Sequence, residues 1–240
     1  MLSVRATNLE TFLTCPFKYK YAPEPEPNKK AFLFWRALHS LVEMSVQWVY
    51  NKAAEELILY PFEDKDRRIL LAQTMKFMEH LEERKLKYIA SEYSFTHTFE
   101  DIIGEPILEG TFDLLFQDEE WKYLIVDIKT ASKLREDDHI ESVNQKKIYP
   151  ALMELEWWIK VDRFEYWIMN KILHPKLQEV VYKVPENNTE DVRQFMQDFV
   201  DADENLDYPK KYPNFTCFFC PFNSECWKES LSDNTEEDAE

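Results

Sequence analysis

Glu109-Gly110-Thr111-Phe112-Asp113, followed by Leu124-Ile125-Val126-Asp127-Ile128-Lys129-Thr130, is the stretch on which the reading of this chain turns. Asp127 and Lys129 stand two apart in an apolar run that reads as a strand. Successive strand side chains alternate between faces, so both leave the same face while Ile128 points into the core. Ile107 to Phe116 and Trp121 to Ile128 are predicted as two strands, with Gln117-Asp118-Glu119-Glu120 as the turn of a hairpin between them. Pairing of these strands brings Asp113 close to Asp127. Two neighbouring carboxylates repel unless a cation lies between them, and hard oxygen ligands suit Mg²⁺ or Mn²⁺. A lysine beside them can orient a metal-bound water or stabilise charge on a phosphate. A lone D-x-K is common on ordinary surface strands, so its surroundings decide its meaning.

Working outward, Tyr93, Phe95 and Phe99 fall on a period of two and read as a further strand. Downstream, a helix contains Gln145 and Tyr149. Phe164, Tyr166 and Ile168 alternate in another strand, Leu177 to Val184 reads as the next, and Thr189 to Asp203 as a helix. Upstream, Phe32, Trp35, Leu38, Val42, Val46 and Val49 recur at helical spacing, predicting a helix from Lys30 to Leu59. A second helix is predicted over Asp64 to Ile89. Thr7-Asn-Leu-Glu10 reads as a capping box opening a short helix that Pro16 stops, and Pro23-Glu-Pro-Glu-Pro27 as a stiff linker. This order predicts an α/β fold: a mixed sheet flanked by helices. The chain has only 2 glycines, Gly104 and Gly110, so phosphate-cradling glycine loops are absent and nucleoside-triphosphate hydrolysis is not expected.

The 4 cysteines are Cys15, Cys217, Cys220 and Cys226. A disulfide framework suits small secreted proteins, whereas a C-x2-C-x5-C run points to metal ligation. Four thiolates hold either Zn²⁺ or a 4Fe–4S cluster. Zinc ribbons commonly show two short cysteine pairs. Here three ligands cluster near one end and the fourth lies far upstream. The net charge is −17, with acidic residues crowded from Glu229 to Glu240. That balance argues against nucleic-acid binding by bulk electrostatics and leaves room for a local groove. No apolar stretch has membrane-spanning length, and no secretory signal is evident.

Taken together these segments resemble the PD-(D/E)xK nuclease superfamily, and within it the RecB-type exonucleases with an iron–sulfur cluster, such as the AddB nuclease domain and CRISPR-associated exonucleases. Leu9-x-x-Phe-Leu-x-Cys15-Pro-Phe-Lys-Tyr19 resembles the opening helix with its cluster cysteine, and Ala37-Leu-His39-x-x-Val-Glu43 the helical histidine motif. Gly110-x-x-Asp113, Asp127-x-Lys129-Thr, Gln145-x-x-x-Tyr149 and Cys217-x2-Cys220-Pro-Phe-x3-Cys226-Trp follow in the family's order.

The resemblance implies a restriction-endonuclease-like sheet core with a helical N-terminal insertion and an iron–sulfur clamp joining the termini. It implies Mg²⁺ or Mn²⁺ on His39, Asp113, Asp127 and the backbone carbonyl of Ile128. Lys129 would position the attacking water, Gln145 and Tyr149 would contact DNA or brace the lysine, and Glu92 would stand in a supporting or DNA-side position. Cys15, Cys217, Cys220 and Cys226 would hold the 4Fe–4S cluster, with Zn²⁺ as the alternative. At the position of Trp35 the family usually has glycine, so the departure bears on substrate geometry.

The expectation is therefore a nuclease domain over residues 1–228. It comprises a helical part at about 30–90, a catalytic sheet core at about 91–185 and the cysteine run at 217–226. An acidic disordered tail over 229–240 follows. The expected activity is metal-dependent exonucleolytic hydrolysis of DNA single strands or ends, in recombination, repair, phage replication or CRISPR adaptation. The expected setting is a reducing cytoplasm, with a helicase or other recombination or CRISPR protein as partner. The alternative is a catalytically inactive nuclease-like module that binds DNA or protein, stabilised by the four-cysteine metal site.

Overall fold

A computed structural model describes residues 2–21, 29–47, 55, 57–134, 144–211, 217 and 220–226. The Pro23–Pro27 segment, Val49, Trp227 and the acidic tail lie outside these described residues. In chain order the elements are β1 (Ser3–Arg5), α1 (Ala6–Thr14), α2 (Pro16–Tyr21), α3 (Lys29–Val46), α4 (Asp64–Arg84), β2 (Lys87–Thr98), β3 (Ile107–Gln117) and β4 (Tyr123–Ala131). There follow α5 (Gln145–Trp157), β5 (Val161–Asn170), β6 (Leu177–Lys183) and α6 (Asn188–Asn205).

The strands form one six-stranded mixed sheet, the restriction-endonuclease-like α/β arrangement that the sequence predicts. β2 runs antiparallel along the length of β3, from Thr98↔Ile107 to Lys87↔Gln117. The other edge of β3 is shared. β1 takes its start in parallel, over Ile107–Glu109, and β4 takes its end in antiparallel, over Leu114–Gln117. Between them, among the described residues, Gly110–Asp113 has no strand partner on that edge. β4 then pairs in parallel with β5, and β5 in antiparallel with β6.

Both faces of the sheet carry apolar side chains, the alternation along β3 changing phase between Phe112 and Leu114. On one face Phe112, Ile125, Phe164, Tyr166 and Ile168 pack with Leu9 and Phe12 of α1, Ile148, Tyr149 and Leu152 of α5, and Met196 and Phe199 of α6. On the other, Leu114, Phe116, Leu124, Val126, Ile128 and Trp167 pack with Phe34, Leu38, Leu41 and Val42 of α3 and with Leu70 and Phe77 of α4. Each large side chain so buried contributes about 1.5–3 kcal/mol. The buried Glu165 carboxylate on this second face is held by Arg84 at 2.9 and 3.2 Å and by the Trp167 indole N–H at 2.9 Å, which fixes the end of α4 to β5.

Several boundaries differ from expectation, each for a local reason. α1 starts at Ala6 with no side-chain cap, because Arg5 is extended and belongs to β1. Thr7 therefore lies inside the helix, where its carbonyl accepts the Thr11 hydroxyl at 3.1 Å, and the capping box is not formed. α3 runs to Val46; residues 48–54 lie outside the described ones, and 57–59, within the expected span, are helical again. α4 stops at Arg84 rather than Ile89: Lys85 turns left-handed at φ 50°, and Lys87 to Ile89 enter β2. In the β3–β4 hairpin the Asp118 carboxylate accepts the N–H groups of Glu120 and Lys122 at 2.9 and 3.0 Å, so the turn extends to Lys122. β1 itself, three residues long, was not expected.

Candidate active site

The open stretch of β3 organises the site. Past the Leu114↔Val126 pair, β3 and β4 separate, and the Asp113 side chain fills the split. Its Oδ2 accepts the Ile128 N–H at 2.7 Å, standing where a strand carbonyl would otherwise be. Asp127 and Lys129 leave β4 on the face covered by α1 and α5, with Ile128 buried on the opposite face, as strand alternation requires. The Lys129 ammonium lies 2.6 Å from Asp127 Oδ2. Burial works against that ammonium, but Asp127, Asp113 and Glu10 outweigh it, so its pKa is raised and it stays charged.

His39 reaches the same point from α3. Its Nδ1 lies 3.0 Å from Glu92 Oε1 and 3.6 Å from Asp113 Oδ1. Glu92 faces Asp113 across the β2–β3 pairing, where Ser91↔Leu114 and Tyr93↔Phe112 flank them. Glu92 has φ +44° in the middle of a strand. For a non-glycine residue that conformation costs about 1–3 kcal/mol and persists only where the surroundings impose it.

Among the described residues, ligand atoms of His39, Glu92 and Asp113 lie within 4.8 Å of one another. Burial, then the neighbouring Asp127, pushes the Asp113 carboxyl up to about 7, against the pull of His39, Lys129 and the Ile128 N–H. Burial disfavours the His39 imidazolium, yet Glu92, Asp113 and Asp127 raise its pKa. Among the described residues the buried His39 Nε2 has no hydrogen-bond partner. Carboxylates converging on one ring nitrogen of a buried histidine, and a carboxyl pushed toward neutrality, together fit a divalent cation.

Gln145 and Tyr149 are both buried on the inner face of α5. The Tyr149 ring packs between Phe95 and Phe164, with centroids 6.3 Å from each. It also lies over Gly110, where a Cβ would come within 2.9 Å of Phe95 and 3.1 Å of Tyr149. Tyr149 is thus a core ring beside the carboxylates; such burial suits bracing the site and leaves its ring no DNA-facing surface.

Two neighbours were not singled out from sequence. Tyr166, opposite Asp127 in the β4–β5 register, is buried, and among the described residues its hydroxyl has no hydrogen-bond partner. Glu10 follows Ala6 and Leu9 and precedes Leu13 on the inner stripe of α1. Burial pushes its carboxyl up, Lys129 opposes this, Asp127 reinforces it, and its pKa stands at about 7. An acidic residue on an apolar stripe was the legible signal for Glu10.

Cys15 caps the end of α1, and Pro16 opens α2 immediately after it. Cys15, Cys217, Cys220 and Cys226 line one small cavity together with Phe17 and Phe222. Burial raises the Cys226 thiol, Lys210 opposes it, and the other three cysteines add to the rise. Lys211 Nζ donates to the Leu13 carbonyl at 2.6 Å and Lys210 Nζ to that of Cys226 at 3.3 Å, which fastens the C-terminal segment to the corner between α1 and α2.

A three-layer α/β fold with carboxylates, a histidine and a lysine gathered at a split in its sheet defines a nuclease-type protein. The model of the PD-(D/E)XK nuclease superfamily matches residues 3–227, and the chain belongs to that superfamily, whose nucleases use divalent metals and whose implied substrate is DNA. No curated protein matches it. Among solved structures, it is similar to a protein described as a putative exonuclease from Eubacterium rectale, at 11% identity and a TM-score of 0.51, over 90% of this chain and 86% of that one. It is also similar to SSO0001, at 16% identity and a TM-score of 0.47, over 92% and 84%. At 11% identity the likeness to the first of these speaks to fold alone. Among the described residues no helix is long and apolar enough to cross a membrane.

Proposed function

We propose that this protein is a Mg²⁺- or Mn²⁺-dependent DNA exonuclease of the RecB type, acting on single strands or ends, with a 4Fe–4S cluster on its four cysteines. The observation that carries the first part is the approach of His39, Glu92 and Asp113 to within 4.8 Å beside the Asp127–Lys129 pair. His39, Asp113 and Asp127, with the Ile128 carbonyl, would hold the cation, and Glu92 is placed to join them. When bound, the cation would supply a Lewis acid and lower the pKa of a coordinated water.

The chain's own groups do the rest. Asp127 holds Lys129 at the site, and the charged ammonium is suited to orienting water and stabilising charge on a phosphate, not to accepting a proton. Asp113 ties β3 to β4 through the Ile128 N–H and so fixes the spacing of the two carboxylates. Tyr149 and Gln145 brace the sheet side of the site. The cavity lined by all four cysteines supports the cluster assignment, and thiolate ligation of iron favours a reducing, cytoplasmic compartment. Residues 1–228 would then form one nuclease domain clamped at its two ends and followed by the acidic tail. A helicase or other recombination or CRISPR protein would be the partner that opens duplex.

The test is digestion of end-labelled single- and double-stranded DNA with Mg²⁺ or Mn²⁺, against Asp127→Ala. Progressive shortening from an end, lost in the variant, is expected. DNA binding without cleavage would replace this reading with that of an inactive module. Anaerobic purification should give brown protein with roughly four iron per chain; colourless protein with one zinc would overturn the cluster.

A further inference from the structure

On α3, Phe32, Trp35 and His39 follow one another at spacings of three and four, and so lie on one stripe of the helix. The same helix buries Phe34, Leu38, Leu41 and Val42 against the sheet, and His39 at the metal group. Phe32 and Trp35 instead remain 43% and 36% exposed. Their rings stack, 6.1 Å apart and 29° from parallel. The Trp35 ring lies 4.1 Å from the His39 ring, tilted by 44°. Single exposed apolar residues are ordinary on protein surfaces. A stacked aromatic pair that ends on a histidine of the metal group is a more specific arrangement.

We propose that Phe32 and Trp35 form a stacking platform for an unpaired nucleobase next to the scissile phosphate, which makes the site selective for single strands and frayed ends. The proposal rests on the nuclease reading of the site and extends it to the substrate. Its occupant follows from chemistry on the page. A strand whose phosphate reaches the group at His39 would lay the adjoining nucleotide along α3, past the partly exposed rings of Phe32 and Trp35. Within a duplex a base is stacked on both sides and has no face to offer; an unpaired base has one. With a net charge of −17, and with Glu92 beside His39, the protein gains little from bulk attraction to phosphate, so affinity must come from short-range contacts. Base–aromatic stacking supplies such contact and tolerates any sequence.

The test measures binding of a fluorescein-labelled single-stranded oligonucleotide in Ca²⁺, alongside cleavage in Mn²⁺, for wild type, Trp35→Ala, Trp35→Phe and Phe32→Ala. Strands carrying one abasic residue at successive positions from the end serve as the second variable. Trp35→Ala is expected to weaken single-strand binding roughly 5- to 150-fold, the range for loss of one stacked base. Trp35→Phe should retain most of the affinity. One abasic position should weaken binding by wild type but not by Trp35→Ala, and affinity for blunt duplex should be the same in all four proteins. Equal affinity of wild type and Trp35→Ala overturns the platform. So does an equal loss on intact and abasic strands, which would make Trp35 a packing residue for His39. Wild-type protein that neither binds nor cleaves DNA overturns the nuclease reading itself; cleavage by wild type with an unaltered Trp35→Ala overturns the platform alone.

Discussion

Asp127 and Lys129 touch each other, and removing either should have a different consequence. Lys129→Ala leaves the carboxylates in place, so metal and DNA binding should persist while cleavage falls about 10²-fold or more, the scale for loss of a preorganised electrostatic group. Asp127→Ala should lose metal binding and cleavage together. Calorimetric metal titration and cleavage of a labelled oligonucleotide on both variants check this; wild-type cleavage by Lys129→Ala would remove the lysine from the mechanism. Glu10 gives a prediction in pH. Its carboxyl rises from 4.5 to about 7 on folding, mainly by burial, so between those values the folded protein binds the proton more tightly than the unfolded chain does. That contribution to stability is present at low pH and falls away as pH rises through the window. Glu10→Gln, which cannot ionise, should therefore gain thermal stability relative to wild type as pH rises from 5 to 8. A melting-temperature difference that is constant across that range would refute the assignment.

Among the elements, β3 is the one on which the site depends. It is paired along one edge by β2 and, at its two ends, by β1 and β4, which leaves Gly110–Asp113 open. Gly110 has ordinary φ; what it provides is space. An alanine Cβ there would meet Phe95 at 2.9 Å and Tyr149 at 3.1 Å, both ring atoms of the core. Gly110→Ala should cost about 1–3 kcal/mol by overpacking and shift Tyr149 away from the carboxylates. Urea denaturation would show the first, and a larger loss of cleavage than of DNA binding the second. A variant as stable and active as wild type would show that α5 recedes freely. The glycine of the motif was legible in the sequence; its reason, the close packing of α5, was not.

For the whole molecule, the cysteine site joins segments about two hundred residues apart. A metal group held by Cys15 and by the C-terminal cysteines would close the entire fold into one loop. The stabilisation such closure brings is on the order of 5 kcal/mol. Cys15→Ala is therefore expected to harm folding as much as Cys220→Ala, despite its distance along the chain. Soluble yield, protease resistance and iron content of the two variants are the measurements. If Cys15→Ala keeps its cluster and wild-type resistance, Cys15 is a core thiol capping α1.

The sequence by itself determined whatever depends on local period and composition. Alternation put Asp127 and Lys129 on one face of β4, and apolar spacing marked α3 and α4. The α/β class followed from the order of those elements. What only the tertiary structure decided were contacts between segments far apart in sequence, where no local signal exists. β1 is three residues long and is held as a strand by β3 alone, so its pairing displaced the capping box expected at Thr7. Glu92 joins His39 and Asp113 because a left-handed residue interrupts β2, a conformation disfavoured locally and imposed by its surroundings. Tyr149, on a helix that sequence alone allows to face either way, is buried because α5 lies on Gly110. Glu10 comes near enough to Lys129 for their charges to act on each other because β1 carries the chain along β3 and turns it into α1. Period is a property of neighbouring residues, whereas a site assembled at a split in a sheet is a property of the packing of the whole chain.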